Sequence, residues 1–304
     1  GGGPVALIEG RRAARRNPAR PRTTAMMTTM RRTLGVWVFL AMIGGALRAE
    51  ETKPSVPPQK TLPLPGEVMS IRGHTAFVLS APSMFLPPSK GKPIPWVLYA
   101  PTLPGLPGTE EQWMFERFLE AGIAVAGIDV GESYGNAAGR VLYSALHEEL
   151  TSHRKFARKV MLLGRSRGGL MTLSWAAENP DKVAGFAGIY PVCNLASYPG
   201  ITNAAPAFGL KPADLEAQLT RHNPVDRLEL LARARVPLFV IHGDQDKLVP
   251  LEANSGLVRS RYQALGGTFE WVVPAGQGHN MLTGFFQSPE LVAFVVRECR
   301  KQAQ

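Results

Sequence analysis

Lys159-Val-Met-Leu-Leu-Gly-Arg-Ser-Arg-Gly-Gly-Leu170 reads as a buried strand, a glycine-pinched turn carrying Ser166, and the start of a helix that runs on to Ala177. Gly164-x-Ser166-x-Gly168 at a strand-to-helix junction is the pattern of a nucleophile elbow. A Cβ on either glycine would collide with the neighbouring strand or helix in so sharp a turn. The turn lifts the serine hydroxyl clear of the sheet, at the start of a helix whose unpaired backbone N–H groups face the same space.

Composition alone predicts roughly 0.14 such patterns in a chain of this glycine and serine content, and the sequence contains two. The second, Gly131-Glu132-Ser133-Tyr134-Gly135, also follows an apolar run, Ala121 to Val130. Context separates them. After Ser166 come a helix-compatible run, Asn179-Pro180-Asp181 as a stop, and a further buried strand, Val183 to Tyr190. That strand–elbow–helix–strand order is what a parallel sheet with crossover helices requires. Around Ser133, glycines at 131, 135 and 139 break the chain repeatedly, so Ser166 is the candidate nucleophile.

Outward from the elbow, Val68–Leu79, Pro95–Ala100, Ile123–Ile128, Pro237–His242 and Thr268–Val273 read as strands. Helical spacing marks 110–121, 139–159, 224–234, 251–265 and 289–300, the last with Leu291, Phe294 and Val295 on its inner face. Residues 194–222, rich in Gly, Pro, Asn and Ala, interrupt the alternation as a small cap-like insertion above the sheet. Strands alternating with helices give an α/β fold whose mostly parallel sheet is covered on both faces.

A serine hydroxyl needs a base to take its proton and a third group to orient that base. His279 closes the glycine-rich loop after the last strand, where a base reaches the elbow. The preceding strand runs into His242-Gly-Asp244-Gln-Asp246, which offers two aspartates as the orienting acid. The oxyanion of an acyl-transfer intermediate needs N–H donors. One is the N–H of Arg167, directly after the serine. The other belongs to the loop Pro101-Thr102-Leu103-Pro104-Gly105, where proline cannot donate, leaving Thr102 or Leu103.

The formal charge of +10 is unevenly placed. Residues 1–49 hold nine arginines and one acid, leaving 25 of 34 basic and 23 of 24 acidic residues in the rest. The body is near neutral, and a nucleic-acid surface is not indicated. Arg31-Arg32, an apolar run from Leu34 to Leu47 and Ala49 form the basic region, hydrophobic region and processing site of a secretory signal peptide at 30–49. An uncleaved anchor is the alternative, but the run is short of the roughly 20 residues a span requires. Residues 1–29 read as a disordered or upstream-translated tail and 50–66 as a proline-rich linker, so the domain is expected over 67–304. The exported, secreted or periplasmic product is expected to be a monomer with no stable membrane insertion after signal removal. Cys193 and Cys299 read as small buried hydrophobes, with a disulfide between them as the alternative. No histidine or cysteine spacing suits a metal, and the chemistry calls for no cofactor.

With the elbow, His242-Gly-Asp-Gln-Asp-Lys-Leu-Val-Pro250 and Gly278-His279-Asn280 in that order, residues 68–300 resemble the α/β-hydrolase superfamily. The resemblance is to its secreted bacterial esterase and prolyl-oligopeptidase-like or dienelactone-hydrolase-like branches. It implies the order Ser166…Asp246…His279, with the acid on the last residue of the histidine-glycine-x-x-aspartate pattern. It also gives Asp129-Val-Gly131-Glu-Ser133 a structural reading, with Glu132 and Tyr134 lining the pocket. Pro101-Thr102 departs from the His-Gly that many relatives carry after the oxyanion-loop strand, and Arg165 and Arg167 beside the nucleophile are also less usual. Those arginines either attract a substrate carboxylate or pair with nearby acids. The implied activity is hydrolysis of a small carboxylic ester through an acyl-enzyme. A serine peptidase of the prolyl-oligopeptidase type and a non-catalytic binding protein of the same fold are the rivals.

Overall fold

The computed structural model describes residues 59–81 and 92–302. The chain divides into two units, residues 1–53 and 54–304. The tail at 1–29, the leader at 30–49 and the start of the linker lie outside the described residues.

The run Val68–Leu79 is two strands rather than one. β1 (Gly66–Ile71) and β2 (His74–Leu79) pair antiparallel, because Arg72 and Gly73 turn back at φ 50° and 79°. The remaining strands are β3 (Trp96–Tyr99), β4 (Ala124–Ile128), β5 (Val160–Arg165), β6 (Val183–Ile189), β7 (Leu238–Ile241) and β8 (Phe269–Val272). They form one eight-stranded sheet in the order β1-β2-β4-β3-β5-β6-β7-β8. From β4 to β8 every pairing is parallel. The carboxyl ends of six strands therefore share one edge, where open α/β sheets place their sites.

Alternation along the strands divides the core. Trp96, Leu98, Val160 and Leu162 face one side, with Leu142 and Leu146 of α2 (Ala137–Glu148), Leu173 of α3 (Gly168–Ala176) and Tyr262 of α8 (Leu257–Ala264). Val97, Tyr99, Met161 and Leu163 face the other, with Phe115 and Phe118 of α1 (Thr109–Glu120) and Leu291, Phe294 and Val295 of α10 (Pro289–Lys301). The fold is the expected α/β-hydrolase fold, helices on both faces of a mostly parallel sheet.

Three expected helices are shorter than their periodicity; the segment 251–265 opens with a π-helical turn, Glu252–Gly256, and is α-helical only over α8. The segment 139–159 leaves α-geometry after Glu148 for one wide π-helical turn, Glu149–His153. It then ends at Lys155, with φ 61°. The segment 224–234 begins as a 3-10 turn at Pro224–Asp226, and only α7 (Glu229–Arg233) is α-helical. Here the Asn223 side chain takes the Leu195 N–H at 2.9 Å and donates to Asp226 at 2.9 Å, which holds the chain off the helical path.

The insertion contains α4 (Ile201–Ala204), α5 (Pro212–Ala217) and α6 (Leu219–His222). Its Ala204, Ala205 and Leu215 pack with Leu170 and Val249 in a third apolar cluster, beside the elbow helix and the β7 loop. A short α9 (Thr283–Phe286) precedes α10. The last residues of the linker are tied to the domain: the buried Lys60 ammonium donates to both Asp129 oxygens, at 2.7 and 2.9 Å. Cys193 and Cys299 are free thiols, both buried. Burial pushes the Cys299 thiol up to about 12, with the Glu298 charge adding to it. Among the described residues no helix is long and apolar enough to cross a membrane.

The ring of Phe294 is buried against Phe239 at 5.4 Å between centroids. Phe294→Ala removes that ring from the face of the sheet remote from Ser166's helix. It is expected to cost about 3–5 kcal/mol in urea unfolding, with kcat of the folded fraction unchanged.

Candidate active site

The elbow forms because two backbones touch. A Cβ on Gly164 would lie 2.9 Å from the Gly168 carbonyl group and the Gly169 nitrogen, and one on Gly169 would lie 2.5 Å from the Val192 carbonyl oxygen. Ser166 itself sits at φ 50°, a left-handed conformation that a side chain adopts at a cost. Its N–H donates to Ile189 at 3.0 Å and its carbonyl accepts from Val192 at 2.8 Å, which pins the turn to the end of β6.

Ser166 Oγ lies 3.0 Å from His279 Nε2. His279 Nδ1 lies 2.7 Å from Asp246 Oδ2. A carboxylate only accepts, so Nδ1 carries the proton and Nε2 presents a lone pair to the serine hydroxyl. Asp246 is buried, and its other oxygen accepts from the Leu248 and Val249 amides at 3.0 and 2.8 Å. Of the two aspartates left open by the sequence, Asp246 therefore faces the histidine. Asp244 instead accepts from the Gly276 N–H at 2.7 Å and joins the two loops. Ser133 is buried in its own turn, its hydroxyl 3.4 Å from the Gly135 nitrogen.

The three groups meet because the loops after β7 and β8 run against each other. The Gln245 N–H donates to the Gln277 carbonyl at 2.8 Å. At Gly243 a Cβ would come within 2.1 Å of that same oxygen. Beneath them lies His242, fully buried and missed by the sequence reading as more than part of a motif. Its Nε2 is 2.8 Å from the Val249 carbonyl, an acceptor, so that nitrogen is protonated and Nδ1 accepts from Ser255 Oγ at 2.7 Å. Nε2 is also 3.3 Å from Asp246 Oδ2. Burial outweighs the Asp246 charge and lowers the basicity of His242, so it serves as a neutral N–H donor beside the acid.

On the other side of Ser166 lies the loop after β3. Gly168 approaches it so closely that a Cβ there would meet the Ala100 oxygen at 3.3 Å and Thr102 Cγ2 at 3.6 Å. Among the described residues, neither the Arg167 N–H nor that of Thr102 or Leu103 enters a backbone hydrogen bond. The Leu103 side chain is 55% exposed. A recess of about 230 Å³ follows, lined by 101–104 with Asp129, Gly131 and Glu132.

Both arginines beside the serine are engaged. Arg167 pairs with Glu132 and reaches the Thr102 carbonyl at 3.5 Å. Burial raises the pKa of the Glu132 carboxyl despite that partner. Tyr134, at φ 45°, packs against the insertion cluster. Arg165 pairs at 2.7 Å with Glu111, which is fully buried and also accepts from Tyr99 Oη and the Gly108 N–H, each at 2.9 Å. Of the two roles open to these arginines, pairing with acids is the one observed. Glu111 is 54 residues from Arg165 in sequence, and nothing local announces it. No group of three His, Cys, Asp or Glu suited to a metal occurs among the described residues.

Gly243→Ala forces the β7 loop away from Gln277 and so separates Asp246 from His279. It is expected to lower kcat by about 100-fold, since displacements near 1 Å cost that much, with steady-state assays reading the loss and circular dichroism confirming the fold.

Comparison with known proteins agrees with this architecture. Over 111 residues the chain is 29% identical to the acylamino-acid-releasing enzyme of Arabidopsis thaliana, an alignment covering 34% of this chain and 14% of that enzyme. Among solved structures it resembles dipeptidyl peptidase 4 of Porphyromonas gingivalis, with a TM-score of 0.61 and 13% identity over 77% of this chain and 35% of that one. It also resembles carboxyl esterase 2 of Tuber melanosporum, with a TM-score of 0.57 and 15% identity over 81% and 89% of the two chains. The chain thus spans about a seventh of its curated relative and about a third of the peptidase. At such identities the structural likenesses establish the fold. Residues 143–297 match the prolyl oligopeptidase family, half of the whole chain, and the protein belongs to that family of serine hydrolases.

Proposed function

We propose that the protein is a carboxylic-ester hydrolase acting through an acyl-enzyme on Ser166. The observation that carries this reading is the continuous chain from Ser166 Oγ through His279 to Asp246, with contacts of 3.0 and 2.7 Å. His279 Nε2 takes the hydroxyl proton as Oγ attacks the ester carbonyl carbon. The tetrahedral oxyanion is held by the Arg167 N–H and by that of Thr102 or Leu103, the donors that backbone pairing leaves free. Collapse expels the alcohol, which takes its proton from the imidazolium while Asp246 balances the charge. Water then repeats the sequence on the acyl-enzyme.

Two features favour an ester over a free peptide. An aminopeptidase or dipeptidyl peptidase holds the substrate ammonium with an uncommitted carboxylate, and the acids beside the two flanking arginines are already paired, Glu111 with Arg165 and Glu132 with Arg167. The recess beside the oxyanion loop is small, about 230 Å³. A blocked amino acid carries no ammonium, so hydrolysis at an acylated residue, the reaction that the Arabidopsis relative's name describes, is the second reading.

Ser166→Ala is expected to lower turnover of short-chain nitrophenyl esters by at least about 10³-fold, with the thermal melt unchanged. Retained turnover refutes the nucleophile assignment. In the intact enzyme, kcat/KM for those esters is expected to exceed that for acylaminoacyl and free aminoacyl anilides. A preference for the acylaminoacyl anilide selects the second reading.

We further propose that residues 30–49 direct export and that the product works as a monomer outside the cytoplasm on small-molecule esters. The observation behind this is the Arg31-Arg32 and Leu34–Leu47 pattern. Fractionation of expressing cells with N-terminal sequencing and size-exclusion chromatography is expected to find a monomer beginning near Glu50 beyond the cytoplasmic membrane; an unprocessed cytoplasmic chain overturns the export proposal.

A further inference from the structure

Two hydrogen bonds do not fix an imidazole. Partners at Nδ1 and Nε2 define an axis, and the ring still swings about that axis, tilting the Nε2 lone pair away from Ser166 Oγ and weakening the bond. A third constraint has to hold the plane of His279, and the acid–serine chain does not contain it.

Tyr190 stands where such a constraint is needed. Its ring centroid lies 4.2 Å from that of His279, with 51° between the planes. It is the residue after β6, and it adopts φ 35°, a left-handed conformation that a bulky side chain enters only when its surroundings dictate it. Those surroundings are specific. The Tyr190 N–H donates to Ile241 at 2.7 Å. Its ring meets Phe285 edge-on at 5.1 Å and Phe286 at 6.2 Å. Its hydroxyl lies 3.9 Å from the sulfur of Met281, two residues beyond His279.

Arg165 holds the far side of this cluster. Its guanidinium lies over Phe286 at 4.9 Å and places Nη2 3.1 Å from the Met281 sulfur, while Nη1 is anchored to Glu111. Because Glu111 is itself fixed by Tyr99 and the Gly108 N–H, the ion pair is a rigid strut between α1, the end of β5 and the loop that carries His279. Neither Arg165 nor Tyr190 needs to touch substrate to do this.

We propose that Tyr190 is a positioning residue, the platform that sets the plane of the His279 ring, and that the Arg165–Glu111 pair holds the platform and the histidine loop together. This rests on the reading of Ser166 and His279 given above. A platform needs the ring and not the hydroxyl, so Tyr190→Phe keeps kcat within about twofold. Tyr190→Leu keeps apolar volume without the flat face. It is expected to lower kcat and the rate of fluorophosphonate labelling of Ser166 by about 10- to 100-fold, the loss typical of a misplaced catalytic group, with KM within about threefold. Arg165→Met combined with Glu111→Gln, which leaves no unpaired buried charge, is expected to lower kcat by about tenfold with KM again unchanged.

All variants are made in the full chain and compared by thermal melt. Wild-type kcat and labelling in Tyr190→Leu, or a loss in Tyr190→Phe as large as in Tyr190→Leu, overturns the inference while leaving Ser166 as nucleophile. If Tyr190→Leu does not fold, the double variant decides, and wild-type kcat there overturns the inference. Absence of labelling at Ser166 in the wild-type protein sinks the underlying reading and this inference with it.

Discussion

Between Gly164 at the end of β5 and the first peptide units of α3 there is no space for a methyl group, since a Cβ would sit 2.9 Å from the Gly168 carbonyl group. Much of the active-site edge is built around that contact. It lets the chain reverse within a few residues, drives Ser166 to φ 50°, and leaves the Arg167 N–H outside any backbone hydrogen bond. The strain at one residue is offset by hydrogen bonds from the Ser166 backbone to Ile189 and Val192. A serine elsewhere in the sheet would be better relaxed and worse aimed. Ser133, with the same glycine spacing, shows this: it relaxes into a buried turn and bonds to its own loop.

The second constraint is between loops. His279 and Asp246 lie in the loops after the adjacent parallel strands β8 and β7, whose carboxyl ends would carry those loops upward side by side. Gly243 lets the loops come together at Gln277, and the Gln245–Gln277 hydrogen bond locks them. The same region ties the insertion to the acid. Asn254, buried in the wide turn Glu252–Gly256, accepts from the Cys193 and Asn194 amides at 3.0 and 3.2 Å, and its neighbour Ser255 bonds His242. The start of the cap-like insertion and the support of Asp246 thus rest on consecutive residues. A change in one is felt in the other through a few buried hydrogen bonds.

Ser166, Asp246 and His279, whose side chains the fold brings together, were legible as candidates because each lies near glycines whose need is local: Gly164 and Gly168 about the turn of Ser166, Gly243 at the loop crossing before Asp246, and Gly276 and Gly278 in the loop that ends at His279. The mostly parallel sheet was legible from the alternation of strands and helices, since parallel pairing requires a crossover between strands. What escaped depends on tertiary approach. Glu111 is an acid in the first turn of an amphipathic helix, and only the fold reveals that it is buried and paired with Arg165. Tyr190 ends an apolar run like any strand residue; its left-handed backbone is imposed by Ile241 and the aromatic residues around it. The β1–β2 hairpin was hidden because Arg72-Gly73 is a weak turn signal between two apolar runs.

The two arginines beside Ser166 bear on substrate choice through what they do not contribute. A lone guanidinium next to the nucleophile would stabilise an oxyanion and draw in substrate carboxylates over several ångströms. Here Arg165 is cancelled by Glu111 at 2.7 Å and Arg167 by Glu132. The field of a close ion pair falls off far faster than that of a charge, so the reacting carbonyl meets mainly the local backbone donors. Removing Arg165 alone would strand the fully buried Glu111 carboxylate at a cost of about 3–5 kcal/mol, which keeps that pair intact. Both flanking charges beside Ser166 are consequently balanced. The shape of the surroundings is set by the recess between the β3 and β4 loops and by the insertion, whose start is held to the wide turn beyond Asp246 through Asn254.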